Sequence, residues 1–156
     1  IDLVAAQWAL SHPLSLVAVQ ELVEPALESG DLNIPLEQVG HLVGSHLQTD
    51  SAESLRKTRT VLLGALEGVG TLDTRGTGQH RSLAASRAEP HAIAFGYLVL
   101  RDLEERGLDG MMAAEVTETS LGVRLTQCHE KHAQACLEWC VKRGLLVEEN
   151  DEVRAG

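Results

Sequence analysis

Apolar residues recur at helical spacing along most of the chain, and small punctuating residues cut that pattern into segments. A short apolar segment runs up to Pro13. Leu14, Val17, Leu22, Val23, Ala26 and Leu27 then form a stripe that stops at Ser29-Gly30, with Pro25 expected to kink it. Asn33-Ile34-Pro35 is read as the start of a second helix, with Leu36, Val39, Leu42, Val43 and Leu47 on one face. Pro35 suits the first helical turn, where a missing N–H costs nothing. Thr49-Asp50-Ser51 offers capping oxygens to a third helix. Leu55, Val61, Leu62, Ala65, Leu66 and Val69 give its stripe, and Gly68 and Gly70 end it. Residues 72–75 and 79–83 flank Gly76-Thr77-Gly78 and read as a β-hairpin.

The pattern then restarts. Pro90 opens a helix carrying Ile93, Phe95, Tyr97, Leu98, Leu100 and Leu103, and Gly107 stops it. Residues 108–119 read as a shorter helical element, and 125–143 as one long helix ended by Gly144. Leu145-Leu146-Val147 is a strand, Glu149-Asn150-Asp151 a turn, and Val153 the start of a return strand. Gly30 and Gly107 stand 77 residues apart, and Gly70 and Gly144 stand 74 apart. The chain is thus an approximate internal repeat of pattern more than of residues. The expected fold is mostly α: tandem winged helix-turn-helix-like units with short β-hairpin wings. Their expected bounds are 1–88 and 89–156.

Composition supports helices over a β-sandwich. The hydrophobic share is 44%, yet the aromatics are only Trp8, Phe95, Tyr97 and Trp139. The core must therefore be Leu, Val and Ala. No 18-residue apolar run suggests a membrane-spanning helix. The chain opens at Ile1 without a Met, which reads as a trimmed product. Its three cysteines all fall within Cys128–Cys140 and do not resemble a secreted disulfide framework, so a reducing cytoplasm is expected.

Charge changes the picture most, because it is sorted along the chain. Residues 1–53 hold eight acids and no Lys or Arg. Residues 54–88 hold Arg56, Lys57, Arg59, Arg75, Arg81 and Arg87 against Glu67 and Asp73. Residues 89–156 hold thirteen acids and seven bases. The three nets are −8, +4 and −6, for a total of −10. So acidic a chain does not attract polyanions generally, but a local cationic island can still meet phosphate.

The island divides between a helix start and a hairpin. In helix-turn-helix proteins the second helix of the motif enters the major groove by its N-terminal part. Here that part carries Ser54, Arg56, Lys57, Arg59 and Thr60, while Leu55 and Leu62 face inward. Arg56, Arg59 and Thr60 share a face at i, i+3 and i+4. Arg suits guanine edges, and Lys and Thr more often hold phosphate. The hairpin adds Arg75, His80 and Arg81, and Gly76 and Gly78 let its backbone approach phosphate closely. The competing reading is a solvated charged face on a protein-docking unit. In the second half the wing is acidic (Glu148, Glu149, Asp151, Glu152) and would repel phosphate.

Cys128, His132, Cys136 and Cys140 fall at i, i+4, i+8 and i+12, with His129 alongside. His132 and Cys136 could share one zinc ion, with His91 the nearest further ligand, but a straight helix cannot wrap an ion with four ligands. The alternative is small core residues on a buried face, and no metal or other cofactor is assigned. His12, His41 and His46 are scattered and read as surface or capping residues. No nucleotide-binding, nucleophile-elbow or zinc-protease motif is present, so no catalytic residue is assigned and no enzyme is expected.

The stretch SAESLRKTRTVLLGALEGVGTLD (51–73) resembles the pattern of the BrxA family of bacterial BREX phage-defence loci. The shared features are the Ser-rich start, the basic run Arg56-Lys57-Thr58-Arg59, an apolar helix and the Gly70-Thr71-Leu72 exit. Pro90, Phe95, Tyr97 and Leu98 suit its Pro-led aromatic helix, and the resemblance covers residues 35–105. It implies a small, non-catalytic protein that binds double-stranded DNA beside other defence-system proteins. The alternatives are a protein-interaction or scaffold module without nucleic acid, and a winged-helix transcription regulator. Homo-oligomer formation stays open.

Overall fold

The stripes and stops of the sequence become nine α-helices, a π turn and six short strands among the residues described, 2–76 and 81–156, in a computed structural model. Helix α1 (Leu3–Ser11) fills the apolar segment before Pro13 and starts where the Asp2 carboxylate accepts the Ala5 N–H at 2.9 Å. Next come α2 (Ser15–Ala18), a π-helical turn (Val19–Val23) and α3 (Glu24–Ser29), in unbroken succession. Pro25 has no N–H to give, but it follows a turn whose bonds already reach one residue further, Glu24 N–H meeting Val19 O. The helix runs through it.

The rest of the first half is β1 (Asn33–Ile34), α4 (Leu36–His46), α5 (Ala52–Val69), β2 (Leu72–Arg75) and β3 (Ser82–Ala85). The second half is α6 (Ala92–Arg106), β4 (Gly110–Met112), α7 (Ala113–Thr119), α8 (Leu121–Thr126), α9 (Glu130–Lys142), β5 (Leu146–Glu149) and β6 (Glu152–Ala155). The chain is thus mainly helical, with two three-stranded antiparallel sheets ordered β1-β3-β2 and β4-β6-β5. Each sheet buries alternate positions: Ile34, Leu72, Leu83 and Ala85 in one, Met111, Leu146 and Val153 in the other.

Three expectations change. Asn33-Ile34 does not begin a helix; it pairs with Ala84 and Leu83, and α4 starts after Pro35, its N-cap. Residues 108–119 are not one helical element, because Gly110–Met112 pairs with β6 before α7 begins. The long helix expected over 125–143 is broken. Gln127 takes a left-handed φ of 54° and ends α8, and α9 restarts at Glu130. The helix stops at Gly70 and Gly107 stand as expected, with φ of 88° and 63°, a region that costs a Cβ-bearing residue energy, whereas Gly68 does not end α5 but lies within it against Trp8.

The halves meet through shared packing. Ala94 and Leu98 of α6 and Leu121 and Leu125 of α8 are buried in the same cluster as Leu62, Leu66 and Leu83. The Ala88 N–H donates to Thr126 O at 2.8 Å, and Arg87 donates to Gln127 O at 3.0 Å. Asp102 is 1% exposed. Its carboxylate accepts the Leu121 N–H at 2.8 Å and an Arg124 N–H at 3.1 Å, so a side chain of α6 caps α8. Helix α8 also comes close to α6 at Gly122, where an added Cβ would lie 2.9 Å from the Phe95 ring.

Asp102→Ala should lower the unfolding free energy by about 3 kcal/mol, the lower end for breaking a buried pair because Arg124 keeps partial access to water. Gly122→Ala should destabilise as well, by overpacking against Phe95. Urea titrations followed by circular dichroism measure both. A wild-type midpoint for Asp102→Ala would mean that packing alone holds α8.

Candidate nucleic-acid interface

Helix α5 begins at a Ser51 N-cap, whose hydroxyl accepts the Ser54 N–H at 3.3 Å. Leu62, Leu63, Ala65, Leu66 and Val69 bury its C-terminal part, and the first two turns project from the core. Ser54, Arg56, Lys57, Arg59 and Thr60 are all exposed there. Thr60 turns its hydroxyl back to Arg56 O at 3.0 Å, so its donor is used within the helix. Lys57 pairs with Glu53 at 2.6 Å, both side chains about two-thirds exposed, and so exposed a pair yields readily to a stronger anion. Arg56 and Arg59 enter no ion pair among the described residues.

These two arginines edge a groove of about 340 Å³ between α4 and α5, lined also by Gly40, Val43, Ala52 and Leu55. Sequence reasoning missed the α4 side of this groove, because Gly40 and Val43 read only as part of an amphipathic helix. It also missed α1 as the cover of α5. Trp8 lies across the helix so closely that a Cβ on Gly64 would come within 3.0 Å of its ring and one on Gly68 within 3.6 Å. The signal was present: glycines at i and i+4 inside a helix mark a face that another element approaches. The cover lies over the later turns and leaves the first two open.

The hairpin base is more neutralised than its sequence suggests. Arg75 donates from Nε to Asp73 at 2.9 Å. Arg81 reaches Glu67 at 3.4 Å, and the Thr74 hydroxyl donates to the same carboxylate. Glu67 thereby ties the sheet to α5. Gly76 has a φ of 76°. Gly78 and His80 lie outside the described residues. Arg87 belongs to the seam between the halves and not to this face. The structure therefore brings Arg56, Lys57 and Arg59 together at one exposed helix start, and sets Arg75 at the end of β2 and Arg81 just before β3, each beside an acid.

The second half carries the opposite charge at its hairpin, where Glu148, Glu149 and Asp151 are exposed around a turn with left-handed Asn150 and Asp151. Its cysteine stripe is not continuous, because Cys128 precedes α9. His132 Nε2 and Cys136 Sγ both donate to Pro90 O, at 2.9 and 3.5 Å, and Cys140 Sγ donates to Ala92 O at 3.1 Å. Their donors hold the start of α6 against α9. Among the described residues no three His, Cys, Asp or Glu side chains converge to hold a metal ion. Burial pushes the Cys136 thiol up to about 12, and it raises Cys128 and Cys140 as well.

No helix among the described residues is long and apolar enough to cross a membrane. Comparison with protein-family models, curated proteins and solved structures gives no match.

A native-state thiol titration checks the cysteines. At pH 8 all three should react slowly with a disulfide reagent and rapidly once guanidinium unfolds the chain, because the buried thiols stay protonated. The sign follows from the raised values: the unfolded chain loses these protons first. The Cys136 contribution to stability is complete below about pH 9 and is lost as pH rises through about 12, and those of Cys128 and Cys140 change in the same direction. Fast labelling of the folded protein at pH 8 would contradict this packing.

Proposed function

We propose that the chain is a non-catalytic double-stranded-DNA-binding protein that meets its ligand through the start of α5. In this reading each half, 1–88 and 89–156, is a winged helix-turn-helix-like unit. Supporting it, each half runs from a helix through one short strand and further helices, two in the first half and three in the second, to a closing pair of strands, and the last strand is central in each sheet. Helix α5 then takes the recognition position and β2–β3 the wing. The resemblance of residues 51–73 to BrxA proteins gives the same function and adds a setting: an accessory role in BREX phage defence, in the cytoplasm, beside other defence-system proteins.

The observation that carries the proposal is the pair Arg56 and Arg59. They are cationic, exposed and without acidic partners among the described residues, in a chain whose net charge is −10. Arg presents a planar fork to guanine edges or phosphate, and Lys57, Ser54 and the start of a helix add donors beside it. Arg75 and Arg81 would contribute less, since binding must first compete with Asp73 and Glu67. In this reading the second half, with its acidic hairpin, is a packing or partner-binding unit.

Fluorescence anisotropy with a labelled duplex, run at two salt concentrations, tests this. Arg56→Ala with Arg59→Ala should weaken duplex binding at least about tenfold and reduce the salt slope by about two, close to one counterion per arginine. Arg75→Ala should weaken binding less. Equal affinity and equal slope for wild type and the double variant would sink the proposal.

A further inference from the structure

The α4–α5 groove has a structural complement on the same chain. The second sheet turns Met111, Leu146 and Val153 inward and leaves its other face uncovered. The strand registers place Met112, Glu152 and Glu149 in one row of that outer face, and Gly110, Arg154 and Val147 in the next. Met112 is 52% exposed and Val147 39% exposed. Arg154 is held by Glu152 at 2.7 Å, and Glu149 enters no salt bridge among the described residues. The face therefore presents apolar side chains beside a carboxylate, at the edge strand β5. The groove presents the half-buried Leu55 with Ala52 and Gly40, over the buried Val43, beside two guanidinium groups that enter no ion pair among the described residues.

Global charge narrows the choice of occupant. Two chains of net charge −10 repel along most approaches. The start of α5, in the stretch 54–88 with its net of +4, is a region that an acidic face of another copy can approach favourably. We propose that the outer face of the second sheet of one copy docks into the α4–α5 groove of a second copy. Val147 and Met112 cover the groove floor, and Glu149 pairs with Arg56 or Arg59. The contact is head-to-tail, so each dimer keeps one free groove and one free sheet face, and further copies add until a ring closes. It uses the arginines proposed to bind DNA, so a docked copy and a duplex exclude one another. The inference stands without the DNA reading, because it needs only the two protein surfaces.

Sedimentation velocity on the protein alone, without nucleic acid, tests it. The wild type should show a mass that grows with concentration at low salt and falls to that of one chain at high salt. Two variants separate the faces: Val147→Ser with Glu149→Ser, and Arg56→Glu with Arg59→Glu. All four side chains are exposed, so both variants should keep the circular dichroism and melting temperature of wild type. Each variant alone should sediment as one chain. Mixed in equal amounts they should give a species of two chains and no more, because one intact groove then meets one intact face. A wild type that stays monomeric at every concentration overturns the inference, as does either variant that self-associates alone, or a mixture that does not pair. None of these results bears on duplex binding, which is measured separately.

Discussion

The buried carboxylate of Asp102 fixes where the two halves of the chain meet. Taking that charge out of water costs several kcal/mol, and the structure offsets the cost with the Leu121 N–H and the Arg124 guanidinium, with Arg106 further off at 4.0 Å. Both strong partners sit on α8, so satisfying Asp102 orients that helix. Leu121 and Leu125 then enter the cluster that also holds Leu62, Leu66 and Leu83. Helix α5, which carries the exposed arginines, thus shares one buried cluster with residues from the other half of the sequence.

Local chemistry made the helices legible. Ser51 as an N-cap, Gly70 and Gly107 as left-handed stops, and the apolar stripes between them act over a few residues, and each stands where the pattern placed it. The short strands β1 and β4 were not legible. Two or three residues carry too little propensity to outweigh helical neighbours, and their partners lie far along the chain, at Ala84 and Arg154. The break at Gln127 was hidden for a similar reason. No glycine marks it, and the carbonyls it frees are taken up by Ala88 and Arg87 from a distant segment.

The candidate interface was legible as charge and illegible as balance. A count of Lys and Arg finds all six bases of the island, yet their surroundings differ. Asp73 is two residues from Arg75, Glu67 meets Arg81 only because the sheet folds back on α5, and Gln127 takes Arg87 into the seam. What remains unbalanced is a single helix turn. Trp8 limits it from the other end, since α1 lies over the later glycines of α5.

The strand pairings also differ in the length of chain they close. Asn33 pairs with Ala84, and Gly110 with Arg154, so each sheet closes a loop that contains whole helices. Closing such loops loses chain entropy before any ladder bond repays it, whereas the helices between them form from neighbouring residues. The pairings of β1 and β4 therefore cost more chain entropy than the helices or the hairpins β2–β3 and β5–β6, whose partners are neighbours in sequence. The strands least legible in the sequence are also the ones whose pairing ties the most chain together.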